Sequence, residues 1–149
     1  MEATLSHSTP SPVSLAPARK GRLWTGLVLG GLPALFLLFD GAMKLLLIAP
    51  VAEAMQRTGF PLETARPIGI ILLACVVLYL VPRTAVLGAV LLTGYLGGAV
   101  VTHLRLGDPL FSHVLFPVYV GVLLWAGLYL RDERVRVIAP WTRPGALAP

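Results

Sequence analysis

Residues 84–102 read TAVLGAVLLTGYLGGAVVT, a run of 19 residues without a charged side chain. An α-helix rises 1.5 Å per residue, so this run is about 28 Å long and nearly matches the roughly 30 Å hydrocarbon core of a bilayer. The whole chain is similarly apolar, because 56% of its 149 residues are hydrophobic and 13% are charged. A soluble domain usually has about 25% charged residues. The sequence therefore predicts a helical membrane protein.

Three further apolar runs predict three further spans. The first, Leu23–Phe39, has 17 residues without a charge, and apolar residues resume after Lys44. We predict an all-α fold, a bundle of four transmembrane helices within a membrane domain at residues 22–136. A Ser- and Pro-rich tail at residues 1–21 is predicted to be disordered, and residues 137–149 form a C-terminal tail. The four helices are expected at about residues 22–48, 64–81, 84–104 and 110–130.

The cations beside the spans predict their orientation. Eight Lys and Arg residues flank the spans on the side of the termini, and four flank them on the other side. Cytoplasmic segments carry the excess of Lys and Arg, so we predict a multi-pass protein of the cell (inner) membrane with both termini cytoplasmic. An aromatic belt at the predicted cytoplasmic helix ends agrees with this orientation. Its members are Trp24, Tyr79, Trp125 and Tyr129.

Titratable residues gather at the opposite, outer ends of the predicted spans. Asp40 and Lys44 are spaced i, i+4, so they share a helix face and can form an ion pair. Because the first and third spans both run outward, their C-terminal ends reach the same depth. We predict one connected polar cluster there and expect any function to reside in it. Its members are Asp40, Lys44, His103, Arg105, Asp108 and His113. No residue is assigned a catalytic role.

Metal and disulfide chemistry have little support in the sequence. Two histidines without a third ligand at a recognisable spacing predict no metal site. The lone cysteine, Cys75, excludes a disulfide within the chain.

Small residues in the third span predict a packing seam. Gly94 and Gly98 are spaced i, i+4, which is the small-xxx-small pattern that lets helices approach closely in lipid. The glycines predicted to pack against another helix are Gly88, Gly94, Gly97 and Gly98.

Several segments together resemble the DoxX-like family of small bacterial membrane proteins, and the resemblance extends from Trp24 to Arg136. The segments are FDGAMK at 39–44, PRTAVLGA at 82–89, GYLGGAV at 94–100, HLR at 103–105 and PLFSH at 109–113. The resemblance implies a four-helix membrane protein whose relatives include membrane subunits of quinone-linked sulfur oxidation and other redox-associated systems. Members of the wider group often carry a Glu in the second helix, whereas this sequence reads GIIL at 69–72.

The sequence leaves three functional alternatives. No Walker loop, dinucleotide-binding glycine pattern, nucleophile elbow or HExxH motif is present. The favoured hypothesis is an accessory membrane protein of undefined role that is not an enzyme by itself. The second is a quinone-binding subunit of a redox system, in which Lys44, His103 and Arg105 would hydrogen-bond the head group and Asp40 would orient Lys44. The third is a small transporter subunit. The expected partners are the lipid bilayer and either a redox-enzyme subunit or a second copy of the chain, and no nucleic acid.

Overall fold

The computed structural model describes residues 16–138, with side chains from Lys20 to Arg136. The described residues contain helices and no strand. A single 3₁₀ turn, Leu62–Thr64, precedes α3, and a π-helical turn, Leu110–Val114, precedes α5. The helices are α1 Ala16–Leu46, α2 Ala49–Thr58, α3 Ala65–Leu80, α4 Ala85–Arg105, α5 Phe116–Arg131 and α6 Glu133–Ile138.

Four helical segments are long and apolar enough to cross a membrane, which confirms the predicted all-α fold with four candidate spans. α1 packs against α3 and α5, and α4 packs against the same two helices, so the four spans close into a ring. The segments are Lys20–Leu46, Leu62–Leu80, Ala85–Arg105 and Leu110–Arg131.

Some boundaries differ from the sequence-based prediction. α1 begins at Ala16, within the segment predicted as a tail, and Pro17 suits the first turn of a helix because its missing N–H has no partner there in any case. The short helices α2 and α6 were not predicted. The rest of both predicted tails, residues 1–15 and 139–149, lies outside the described residues.

Tyr79 of α3 lies at the centre of the ring and is fully buried. Its hydroxyl donates a hydrogen bond to the carbonyl oxygen of Leu124 in α5, at 2.8 Å. Two neighbouring helices, α1 and α4, approach Tyr79 through glycine residues. A Cβ at Gly30 would lie 2.4 Å from the hydroxyl oxygen of Tyr79, and a Cβ at Gly88 would lie 2.2 Å from its backbone nitrogen. Arg131 donates to the carbonyl of Tyr79 at 2.9 Å and covers its ring, 4.5 Å from the ring centre. All three other spans therefore contact this residue.

Tyr79 lies at the helix end where the sequence places it, but its side chain is buried inside the ring and does not face lipid as a belt residue would. A tyrosine can be buried when its hydroxyl has a hydrogen-bond partner, and the carbonyl of Leu124 is that partner. Trp24, by contrast, is 70% exposed, as expected for a belt residue.

Glycines also join α1 to its two neighbours. Gly26 and Gly30, spaced i, i+4, meet Gly127 of α5, where a Cβ at Gly127 would lie 2.4 Å from the backbone nitrogen of Gly30. Further along α1, a Cβ at Gly69 of α3 would lie 3.0 Å from the carbonyl oxygen of Gly41. Backbone atoms of different helices are thus in direct van der Waals contact, as is common between membrane helices.

Within the chain, one of the four α4 glycines of the predicted packing seam lies against another helix. Gly88 packs tightly against Tyr79, but the other three are exposed, with no atom within 4 Å of where a Cβ would lie. The reason is helical geometry. The buried face of α4 contains Ala85, Ala89, Leu92 and Leu96. Gly94 follows Leu92 by two residues, a rotation of about 200° around the helix axis, so it lies on the opposite face. The exposed glycines are Gly94, Gly97 and Gly98.

We expect Gly127→Leu to destabilise the protein by about 3 kcal/mol or more, because the new side chain would meet the backbone of α1, which cannot move aside locally. Gly98→Leu is the matched control on an open face and should keep the wild-type midpoint of thermal unfolding in detergent. Equal loss of stability in both variants would contradict the location of the seam.

Candidate functional site

The predicted polar residues lie at one end of the ring, which we call the cap end. The cap end comprises α2, the 3₁₀ turn and the start of α3, the C-terminal ends of α1 and α4, the turn after α4 and the π-helical turn. The hairpin end is the opposite one and comprises residues 81–84, the start of α1, the end of α5 and α6.

A turn after α4 brings Asp108 back over the last turn of that helix. Gly107 ends α4 with a φ of 69°, a left-handed conformation that glycine adopts without strain. The N–H of Asp108 donates to the carbonyl of His103 at 3.1 Å, and the N–H of Gly107 donates to that of Leu104 at 3.1 Å. These two bonds form a Schellman motif. The carboxylate of Asp108 thereby lies beside the imidazole of His103.

Asp108 joins α4 to α2 through two hydrogen bonds. Its Oδ2 accepts from Nδ1 of His103 at 2.6 Å, and its Oδ1 accepts from the guanidinium of Arg57. An ionised carboxylate can only accept hydrogen bonds, so the proton of the imidazole is on Nδ1. The network therefore fixes the tautomer of His103.

These contacts lower the pKa of Asp108 below its ordinary value. The hydrogen bond from His103 is the largest cause, partial removal from water opposes it, and the charge of Arg57 adds to the lowering. A carboxyl group with a depressed folded-state pKa stabilises the fold above its unfolded pKa of about 3.9. That stabilisation is lost as the pH falls from this value through the lower folded pKa. At neutral pH the link between α2 and α4 is intact.

A second link joins the same two helices. The guanidinium of Arg105 donates to the carbonyl oxygen of Thr58 at the end of α2. Gly59 follows in the left-handed conformation, φ 73°, and the N–H of Phe60 returns to the carbonyl of Met55 at 3.1 Å. Both helix ends at the cap are therefore closed by glycine turns of the same kind.

Arg57 and Thr58 are site residues that the sequence does not predict, because residues 49–63 lie between the first two predicted spans and no helix is expected there. Signals for α2 were present: Pro50 suits a helix start and Gly59 suits a helix end. Val51 and Met55, spaced i, i+4, are the buried residues of this helix.

Asp40 and Lys44 form a separate pair. Nζ of Lys44 lies 2.5 Å from Oδ1 of Asp40, and the two side chains are 14% and 27% exposed, respectively. In the described part of the chain, no hydrogen bond or ion pair joins them to His103 or Arg105. The predicted single cluster is therefore two groups, because Lys44 reaches back along its own helix instead of across to α4.

His113 lies near His103, with their ring centres 6.0 Å apart. Its Nδ1 is 2.8 Å from the hydroxyl of Ser112. Within residues 16–138, no group of three side chains is arranged to bind a metal ion.

We expect Lys44→Met to destabilise the protein by about 1–3 kcal/mol, because it leaves the half-buried carboxylate of Asp40 without its donor. The double variant Lys44→Met/Asp40→Asn should lose less, since no charge remains unpaired. Thermal unfolding in detergent measures the stability of the two single variants, Lys44→Met and Asp40→Asn, and of the double variant. If the double variant is as unstable as the sum of the two single changes, the pair contributes nothing to the fold.

One comparison with known proteins gives a match, to a protein family. No curated protein and no solved structure matches the chain. The model of the DoxX-like family matches residues 28–127, a stretch that includes the Asp40–Lys44 pair and the Asp108 network. Because this match covers well over half of a chain with four candidate spans, the protein is a membrane protein that belongs to the DoxX-like family.

Proposed function

We propose that the chain is an accessory subunit of the cell membrane that catalyses no reaction by itself and acts through a partner, either a redox-enzyme subunit or a second copy of the chain. One observation carries the proposal: the charged side chains of the candidate site are engaged with one another or with the backbone. The contacts are Asp40 with Lys44, Asp108 with His103 and Arg57, and Arg105 with the carbonyl of Thr58.

These contacts hold helices together. Arg57 and Arg105 each connect α2 to α4 or to the turn that follows it, so both contacts help to hold α2 against the spans. A general acid or base must come within hydrogen-bond reach of a substrate atom. The Nδ1–H of His103 donates to Asp108, which ties this imidazole to the link between α4 and α2 and leaves only its Nε2 to meet a substrate atom.

The same contacts weigh against the quinone alternative. Its three expected head-group donors are Lys44, His103 and Arg105, and each donates to a different neighbour within the chain. The donors also belong to separate groups, so no shared head-group position joins them in the described residues. No described feature favours the transporter alternative.

The orientation of the chain is part of the proposal. Among residues 20–136, the hairpin end carries six cations and two acids, whereas the cap end carries four of each. An excess of Lys and Arg marks the cytoplasmic side, which supports cytoplasmic termini. The six cations are Lys20, Arg22, Arg83, Arg131, Arg134 and Arg136, and the two acids are Asp132 and Glu133.

We expect the chain purified in mild detergent to contain less than one quinone per chain, and added ubiquinone-1 to give no saturable quenching of tryptophan fluorescence. We also expect it to migrate with a second subunit after gentle solubilisation of its own membrane. A quinone bound one to one, and lost in Lys44→Met or His103→Gln but kept in Arg66→Gln, would replace the accessory role with the quinone role.

Reporter fusions test the orientation. Alkaline phosphatase, which is active only after translocation, should be inactive after Gly21 and after Arg143 and active when inserted near Gln56. A cytoplasmic fluorescent reporter should give the reverse pattern. Phosphatase activity at either terminal fusion would refute cytoplasmic termini.

A further inference from the structure

An apolar groove runs along the membrane-facing side of α4 and α5, outside the polar site. Its volume is about 940 Å³, near the upper end of the range for small-molecule sites. Gly97 and Gly121 form part of its walls, and the absence of side chains there leaves the space open. The groove is also lined by Pro117, Trp125, Tyr129 and Val135.

The polar side chains midway along the groove, Thr93 and Trp125, are already engaged. Nε1 of Trp125 donates to Oγ1 of Thr93 at 3.0 Å, and this hydroxyl donates to the carbonyl of Ala89 at 2.8 Å. A ligand with a polar head group would find few donors along the length of the groove. A hydrocarbon chain fits it better.

The length of the groove matches one leaflet of a bilayer. From Pro117 to Tyr129 it follows α5 for about 18 Å, at 1.5 Å per residue. One leaflet contributes half of the roughly 30 Å hydrocarbon core, about 15 Å. The groove also reaches Val135 of α6, at the hairpin end. It therefore begins near the hairpin end and runs toward the cap end for slightly more than the depth of one leaflet.

Cations lie where the groove reaches α6. Arg134 and Arg136 are the chain neighbours of Val135, and Arg134 is exposed. Arg22 and Arg136 share one carboxylate oxygen of Glu133, at 3.8 and 3.3 Å. The Nε atoms of these two arginines are buried and have no hydrogen-bond partner among the described residues. Two guanidinium groups thus share a single carboxylate, which leaves a local excess of positive charge.

We propose that this groove binds one anionic phospholipid, with an acyl chain between α4 and α5 and the phosphate beside Arg134 and Arg136. Cationic side chains at a membrane interface attract anionic head groups, and phosphate accepts charge-assisted hydrogen bonds from guanidinium groups. Arg134 is exposed next to Val135, where the groove ends. This binding site is separate from the cap-end contacts and does not rest on the accessory role.

Native mass spectrometry of the full chain in mild detergent tests the proposal. Dioleoylphosphatidylglycerol and dioleoylphosphatidylcholine have the same acyl chains and differ in head-group charge. With equal amounts of both, we expect one bound phosphatidylglycerol per chain, preferred at least tenfold. Glycerol 3-phosphate, offered without acyl chains, should not bind.

Two glycines on α4 provide a matched pair of variants. Gly97→Phe fills the groove and should reduce phosphatidylglycerol binding at least tenfold, whereas Gly94→Phe, which lies outside the groove lining, should leave binding unchanged. Neither glycine has an atom within 4 Å of its Cβ position, so both variants should fold. Equal binding by the two variants would refute the groove as the acyl-chain site.

The head-group contact is tested by a second pair. Arg134→Gln/Arg136→Gln should remove the preference for phosphatidylglycerol while phosphatidylcholine binding persists, and Arg66→Gln at the cap end should keep the preference. Equal occupancy by the two lipids in the wild type would overturn the proposal, as would binding of glycerol 3-phosphate. A dimer that Gly97→Phe abolishes, without a lipid adduct, would show that a second copy fills the groove.

The position of the lipid has an independent readout. In a Trp24→Phe/Trp141→Phe background, Trp125 is the sole tryptophan and lines the groove. Phosphatidylglycerol brominated on its acyl chains should quench this fluorescence at a concentration at least tenfold lower than brominated phosphatidylcholine. Equal quenching by the two lipids would refute a specific site.

Discussion

The burial of Tyr79 constrains the whole membrane core. A phenol hydroxyl inside a protein needs a hydrogen-bond partner, and here that partner is a helix carbonyl, that of Leu124. The bond fixes the depth of α3 against α5, and the glycines at positions 30 and 88 let α1 and α4 approach the same side chain. In lipid, helices gain no hydrophobic free energy by associating, so close packing and such hydrogen bonds determine their arrangement.

The position of α2 at the cap end depends on that arrangement of the spans. Because the ring places the C-terminal ends of α1 and α4 at one end, the short helix α2 can cover them and be held by Arg57 and Arg105. The glycine turns at positions 59 and 107 determine which groups face each other. The charged residues that could suggest chemistry thus hold the cap in place, and the open membrane face of α4 and α5 provides the space for a ligand.

The four spans were predictable, since long uncharged runs have few alternatives to crossing a bilayer. The packing faces were harder. Two pairs of glycines, Gly26 with Gly30 and Gly94 with Gly98, have the same spacing, and the structure packs the first pair and exposes the second. Spacing alone cannot distinguish them, because the choice depends on which face of each helix carries the larger buried residues. The Asp40–Lys44 contact was expected from its i, i+4 spacing. Its connection to His103 and Arg105 was predicted from depth alone, and depth does not say whether side chains on different helices reach each other.

The unequal charge of the two ends has an electrical consequence. Within residues 20–136, the hairpin end has a net charge of about +4 and the cap end has a net charge of about zero. The folded chain is therefore electrically polarised across the membrane. A cell-membrane potential that is negative inside favours each positive charge on the cytoplasmic side by about 2.3 kcal/mol per 100 mV. Four such charges amount to roughly 9 kcal/mol at that potential. With cytoplasmic termini, an energised membrane would itself hold the protein against inversion during and after insertion.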